Sequence, residues 1–305
     1  MSENTQLTKT SNSVQTLLSS ENVKERLNEI LGKRASTFAT SVLQIIKSND
    51  LLAKAEPNSV VGAAMTAATL NLALNNNIGF AYIIPFNTKN QDGTYSVKAQ
   101  FQIGYKGYLQ LAQRSGQFKT INVTEVKDGE IISRDRLTGD IEFSWIQDDI
   151  TREKTRTIGY VSYFSLLNGF EKNLFMSIEE LNAHGGKFSK TFSQQYGLWK
   201  TDFDSMAKKT ALKLLLSKYA PLSIDMQTAV QTDQATFNDA TNTEDINYLD
   251  NEEVKVDPDK ERIMLLITSA KTLEDIEFAK EHITDETLMP ALKAKELQIK
   301  KETKK

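Results

Sequence analysis

The segment Gly197–Pro221, GLWKTDFDSMAKKTALKLLLSKYAP, constrains this chain more than any other. At 100° per residue, Phe203, Met206, Ala207, Thr210 and Leu214 fall on one side of a helix, and Leu212, Leu215, Leu216 and Tyr219 on another. A helix apolar on two sides must be packed on two sides, so the fold has to supply a layer for each. Lys209 and Lys213 stand one turn apart in the gap between those faces. Such a pair suits phosphate contacts, and taken alone it suits a solvated edge as well.

Composition narrows the functions open to such a fold. A chain of 305 residues holds one substantial domain plus a smaller one. It carries no run of eighteen apolar residues and no charged-then-apolar start, so neither a membrane span nor a secretion signal is expected. Without cysteine there are no disulfides, thiolate zinc sites or thiol nucleophiles. The two histidines, His184 and His282, are far apart, and His184 sits in a polar Asn-Ala-His-Gly-Gly turn. A Ser-His-Asp site has little to build on. The net charge of −3 conceals a segregation. Residues 181–220 carry seven lysines against Asp202 and Asp204, and residues 226–259 carry nine acids against Lys255. A basic block beside an acidic stretch fits a nucleic-acid binder, because the local field selects the partner.

The pattern along the chain predicts four parts. Residues 1–33 form a polar arm and an oligomerisation helix, residues 34–225 an antiparallel α+β core, residues 226–258 an acidic flexible linker, and residues 259–305 a small helical module with a basic end. Two amphipathic helices over 22–47 hinge near Gly32, and Pro57-Asn58-Ser59 opens a helix from Val60 to Leu74 whose small residues let another backbone approach closely and predict burial, while the apolar surface of the first 75 residues also suits subunit contacts. Strands 80–86 and 95–103 flank an Asp92-Gly93 turn, the mark of a hairpin. Further strands are expected at 120–126, 141–146, 157–167 and 173–176, with a capping box at Ser177–Glu180.

No phosphate loop is present: in Gly185-Gly186-Lys187-Phe188-Ser189 the first glycine is replaced by Leu181 and Phe188 displaces the magnesium hydroxyl. A metal nuclease would rest on Glu125 and Lys127 with Asp92 or Asp128 and Asp140/Glu142, an unspecific spacing. What the chain does offer is cations interleaved with aromatics. Tyr105, Lys106 and Arg114 frame one helix, and Trp199 and Lys200 open the long one. Lys187 and Lys190 accompany Phe188, Phe192 and Tyr196, and Arg134, Arg136, Arg152, Lys154 and Arg156 lie along a hairpin at 132–158. Single strands need this combination, flat faces for bases and positive charge for the backbone. Each aromatic alone suits the core equally well.

The run Ile103-Gly104-Tyr105-Lys106-Gly107-Tyr108-Leu109-Gln110-Leu111-Ala112-Gln113-Arg114-Ser115-Gly116, preceded by Ala81-Tyr82-Ile83-Ile84-Pro85-Phe86, resembles the RecT family of phage single-strand annealing proteins. Trp199 and Met206-Ala207-Lys208-Lys209-Thr210 fit the same family, and the likeness covers residues 55–225. The resemblance implies a twisted antiparallel sheet backed by a long helix. It also implies an ATP-independent recombinase that coats single-stranded DNA as rings or helical filaments and pairs complementary strands into annealed duplex. With it come a partner 5′–3′ exonuclease, bacterial cytoplasm as the setting, and no cofactor beyond magnesium acting through the DNA. Lys106, Arg114, Trp199, Lys208 and Lys209 sit at the matching positions; Lys213 and the hairpin arginines rest on charge alone. The tail module is a candidate contact for host single-strand-binding protein. A protection protein that binds single strands without pairing them, and the metal nuclease, are the alternatives.

Overall fold

Helical spacing of apolar residues builds the N-terminal layer. In the computed structural model α1 (Glu21–Leu31) buries Val23, Leu27 and Leu31, and a short 3-10 turn at Gly32–Arg34 leads into α2 (Ala35–Lys47), which buries Val42 and Ile46. The two expected helices are thus present, hinged where Gly32 stands. The structure describes residues 13–89, 94–189, 191–192, 197–240 and 246–248, and then 270, 272, 275–276, 280, 292, 295–296 and 299.

Helix α3 (Pro57–Thr69) is buried at every position from Ser59 to Ala68. Its small side chains let β-structure close on it, and at Gly62 a Cβ would run into the Phe237 side chain. The apolar surface assigned to subunit contacts is therefore inside the protein here. Strand β1 (Ala81–Lys89) pairs antiparallel with β2 (Tyr95–Ile103), from Ala81↔Ile103 to Lys89↔Tyr95. Residues 90–93, with the Asp-Gly turn, lie outside the described residues. Helix α4 (Tyr105–Arg114) follows.

A second antiparallel sheet, in the order β3-β6-β7, is made by β3 (Phe118–Lys127), β6 (Thr157–Leu166) and β7 (Glu171–Ser177). The predicted hairpin over 132–158 is shorter than expected. Its strands β4 (Ile131–Arg134) and β5 (Ile141–Phe143) are followed by α5 (Asp149–Lys154), because Asp148 caps Thr151 N–H at 2.8 Å and starts a helix. The capping box at Ser177 and Glu180 opens α6 (Ile178–Phe188).

The long helix arrives in two pieces, α7 (Leu198–Thr201) and α8 (Phe203–Tyr219). Asp202, at φ −148° and ψ 65°, breaks the run, and its carboxylate accepts from Ser205 N–H at 3.2 Å to start the second piece. Both layers demanded by the sequence are present. One side of α8 lies on β6 and β7, with Ser162 Oγ donating to the Ala211 carbonyl at 2.9 Å, and the other meets α4. Leu212, Leu215 and Leu216 are fully buried, each contributing about 1.5–3 kcal/mol.

The linker does not begin at residue 226. Helix α9 (Ile224–Thr232) and strand β8 (Ala235–Phe237) continue the core, β8 docking on β2 through Gln100↔Thr236 and pairing with β9 (Ile246–Tyr248). The acids there mask a pattern of buried Met226, Ala229, Ala235 and Phe237, which a charge count passes over. The chain divides into two compact units after Asn251. In the second, Thr272 and Asp275 exchange hydrogen bonds between backbone and side chain at a helix start, and most of 259–305 lies outside the described residues. No helix among the described residues is long and apolar enough to cross a membrane.

Candidate nucleic-acid interface

Lys209 of α8 stands between two concavities. On one side is a cleft of about 550 Å³, lined by Tyr82, Gly104, Tyr105, Lys106, Asp202 and Lys209 among others. On the other is a smaller cavity of about 220 Å³, reached by His184, Trp199, Thr210, Lys213 and Asp233.

The glycines of the Gly104-Tyr-Lys-Gly107 motif explain how the cleft is built. A Cβ on Gly104 would collide with the Gly79 carbonyl, and one on Gly107 with the Phe80 carbonyl. Only glycine lets the start of α4 press onto the chain entering β1, and that contact turns Tyr105 and the exposed Lys106 into the cleft. Tyr82 faces them. Burial, then Asp202 and Tyr105, raise its phenol above the usual range, so it remains a hydrogen-bond donor.

The centre of the site is a carboxylate. Asp233, 2% exposed, accepts from Lys209 Nζ at 2.8 Å and from Lys213 Nζ at 2.7 Å. Ile103 N–H donates to it at 3.1 Å and the Tyr108 hydroxyl lies at 3.4 Å. Burial alone would push this carboxyl up, but the two ammonium groups and their hydrogen bonds outweigh it and hold it at about 2. Lys209 and Lys213 are therefore tied from α8 to the end of α9, and Lys209 is 6% exposed. The ridge between the two apolar faces is an inner seam at Lys209, opening to solvent only toward Lys213.

Other expected contacts also have intramolecular partners. Arg114 donates to the carbonyls of Leu70 at 2.6 Å and Asn71 at 3.4 Å, closing the end of α3. Trp199 is 5% exposed and meets Phe192 and Phe203 edge-on, both at 5.7 Å. Lys208 pairs with Asp204 at 2.7 Å and Glu125 at 3.8 Å. Arg152 pairs with fully buried Glu130 at 2.7 Å and with Glu125 at 3.3 Å. Burial raises the Glu130 carboxyl, but Arg152 and the N–H groups of Lys127 and Ile146 leave it below the carboxylate range.

Several cations stay at the surface. Lys106 is exposed at the cleft, Lys187 lies over the Phe188 ring at 5.2 Å, Lys200 over Phe192 at 5.8 Å, and Arg134 over Phe175 at 4.9 Å. The side chains of Arg136, Lys154 and Arg156 are exposed and make no hydrogen bond or close ion pair among the described residues, although Arg156 lies near enough to Glu179 to lower its carboxyl. Lys190 lies outside the described residues. Beneath the β4–β5 hairpin runs a groove of about 460 Å³, with Thr120, Asn122, Thr124 and Tyr163 on its floor and Phe143 and Trp145 on its wall. Those two rings stack at 4.7 Å. Sequence reasoning missed this stacked pair, as it missed Tyr82, Glu130 and Asp233. The alternation Ala235-Thr236-Phe237 was the available signal that the chain around Asp233 returns to the core.

Among the described residues, the carboxylates a metal nuclease would need do not gather. Glu125 is held by Arg152 and Lys208, Asp140 lies 3.5 Å from Lys172, and Ser133 donates to Glu142 at 3.3 Å. Asp128 is exposed, and Asp92 lies outside the described residues.

The model of the RecT family matches residues 36–247. The uncharacterized protein YqaK of Bacillus subtilis (strain 168) is 44% identical over 231 residues, 75% of this chain and 75% of its own length. Protein RecT of Escherichia coli (strain K12) is 30% identical over 192 residues, 62% of this chain and 67% of that protein. The matched span ends at 247, past α9, β8 and most of β9, so the returning segment with Asp233 belongs to the shared unit.

Proposed function

The chain belongs to the RecT family, whose members work in single-strand annealing and recombination, and from that premise we propose that it coats single-stranded DNA as an oligomer and pairs complementary strands without ATP. Family membership over residues 36–247 carries this reading. Annealing makes and breaks no covalent bond. It needs neutralised phosphates and free pairing edges, and the family is one of annealing proteins, not of classic enzymes. The cleft with Tyr82, Tyr105 and Lys106 supports it, since phenol faces and an ammonium group suit stacked bases on a backbone. In this reading the assembly is a ring or helical filament, magnesium acts only through the DNA, and the setting is the cytoplasm of a bacterial host. A phage 5′–3′ exonuclease exposes the strands, and residues 259–305 meet host single-strand-binding protein.

Mixing the full chain with two complementary oligonucleotides, with and without ATP and magnesium, tests the proposal. Accelerated duplex formation without ATP is the expected result. Protection of both strands with no gain in pairing would replace it with a protection role, and magnesium-dependent shortening with nuclease activity.

A further inference from the structure

Two guanidinium groups that line one groove, those of Arg34 and Arg114, meet no carboxylate among the described residues. The groove, of about 580 Å³, is walled by α2, the end of α3 with the turn after it, and α4, and none of its described lining residues is acidic. Arg34 Nη1 donates to Asn71 Oδ1 at 3.1 Å, and Arg114 donates to the carbonyls of Leu70 and Asn71. Both side chains are exposed, and of five donors each, Arg34 uses one and Arg114 two. Phe38, Leu74 and Phe80 add apolar wall, and Ile78 stands in it 40% exposed. The groove thus combines two unmatched positive charges with uncovered apolar surface.

The complementary surface stands elsewhere on the same chain. Helix α5 presents Asp149, Ile150 and Glu153 within an arc of about 100°, the carboxylates one turn apart and Lys154 just beyond Ile150. All three are exposed, Ile150 at 65%, and neither carboxylate has a hydrogen bond or ion pair among the described residues. Of the large apolar side chains exposed on described helices, Ile150 alone shares its face with two carboxylates.

We propose that α5 of one copy of this chain docks in the Arg34–Arg114 groove of the next, with Ile150 against Phe38 and Ile78 and the two carboxylates on the two guanidinium groups. The planar guanidinium fork takes a carboxylate through two bonds, so the charges match two against two. DNA is the rival occupant: phosphates would meet the arginines but leave Ile78 and Ile150 facing water. Donor and acceptor are different surfaces, so the contact is heterologous and repeats from copy to copy, as a ring or an open helical filament requires. The inference rests on the oligomeric part of the reading above and names the surface that builds it.

Sedimentation velocity of the full chain, alone and with a thymidine homopolymer, tests it. Ile150→Lys spoils the donor and Arg34→Glu the groove; both positions are exposed, so urea midpoints should stay those of the wild type. Each variant alone should need at least about tenfold more protein to assemble, the equivalent of one buried isoleucine. Mixed, the two should form one-to-one pairs and nothing larger, because one intact donor then meets one intact groove. Should Arg34→Glu fail to fold, Ile78→Lys replaces it. Folded variants that assemble like the wild type would overturn the interface and leave the oligomeric reading standing, and so would a mixture that forms no pairs. Intact assemblies together with a lower salt slope of homopolymer binding in Arg34→Glu would give the groove to DNA instead. Wild-type protein that stays monomeric with and without homopolymer would overturn the oligomeric reading and this contact together.

Discussion

Two sets of cations in this protein look alike in sequence and differ in nearly every physical respect. Lys209 and Lys213 meet a buried carboxylate on the inner side of α8, fixed by two bonds shorter than 3 Å. Arg136, Lys154 and Arg156, on and beyond the β4–β5 hairpin, are exposed and unpaired among the described residues. The side chains of the first set join α8 to the end of α9, whereas those of the second are open to solvent. A positive charge in a sequence is thus a statement about neither role until its counter-charge is located.

The comparison breaks most visibly where the chain is cut. Ending it after residue 225 removes Asp233 and β8 together, leaving two lysines without their carboxylate and the groove at Gly62 without Phe237. Such a fragment is expected to lose cooperative unfolding in urea, whereas a fragment ending at 251, the edge of the first unit, should unfold with a normal midpoint. Equal behaviour of the two would show that residues 226–251 are a tether after all.

A single atom pair separates the same alternatives. Asp233→Asn removes the charge that both lysines face, and is expected to cost about 3–5 kcal/mol in denaturant unfolding. The acid dependence follows with a defined sign. The folded carboxyl is held at about 2, below its ordinary 3.8. Its stabilisation is therefore complete above the ordinary value and is lost as pH falls through about 2. Asp233→Asn should flatten that part of the pH–stability curve, and a wild-type curve with no loss in this window would contradict the arrangement.

The hairpin base sharpens the contrast from the other side. Arg152 was grouped with the surface arginines by charge alone, but it is anchored to Glu130, whose second oxygen also accepts Lys127 N–H at 2.7 Å. Arg152→Ala should cost about 1–3 kcal/mol, because it leaves a buried carboxylate partly unsatisfied. Amide exchange should quicken at Lys127 and Ile146. Arg136→Ala, two residues past β4, should do neither.

Much of the architecture was legible because periodicity reports burial. The two-sided Phe203–Tyr219 pattern announced a helix between two layers, and the small residues of 59–68 announced a close approach. The Gly104/Gly107 spacing pointed to the site, though as packing glycines under Tyr105 and Lys106. What was not legible depended on pairing at long range. Asp233 lies 24 residues from Lys209 in sequence, inside an acidic stretch whose charge obscured its buried apolar neighbours. Glu130 and Arg152 are 22 residues apart, so no local pattern reports their pairing. Arg114 and Trp199 fitted a binding role by residue type; the structure buries Trp199 against the rings of Phe192 and Phe203, while Arg114 is exposed and also donates to the Leu70 carbonyl.

The smallest expected effect on stability belongs to the exposed set, and there the effect on binding should be the clearest. Arg136, Lys154 and Arg156 sit where a long polyanion can run along the hairpin and α5, and among the described residues none of the three side chains has a hydrogen bond or close ion pair to release first. Replacing all three by Ala should leave unfolding within about 0.5 kcal/mol of the wild type. If each meets one phosphate, the salt slope for a single-stranded oligonucleotide should fall by about two units, at about 0.7 for each contact. Long-range attraction alone would instead lower the association rate at low salt and leave the slope nearly intact. Measuring both rate and slope in the triple variant distinguishes contact from steering. A variant unchanged in both would remove this face from the interface and leave DNA to the cleft lined by Tyr82, Tyr105 and Lys106.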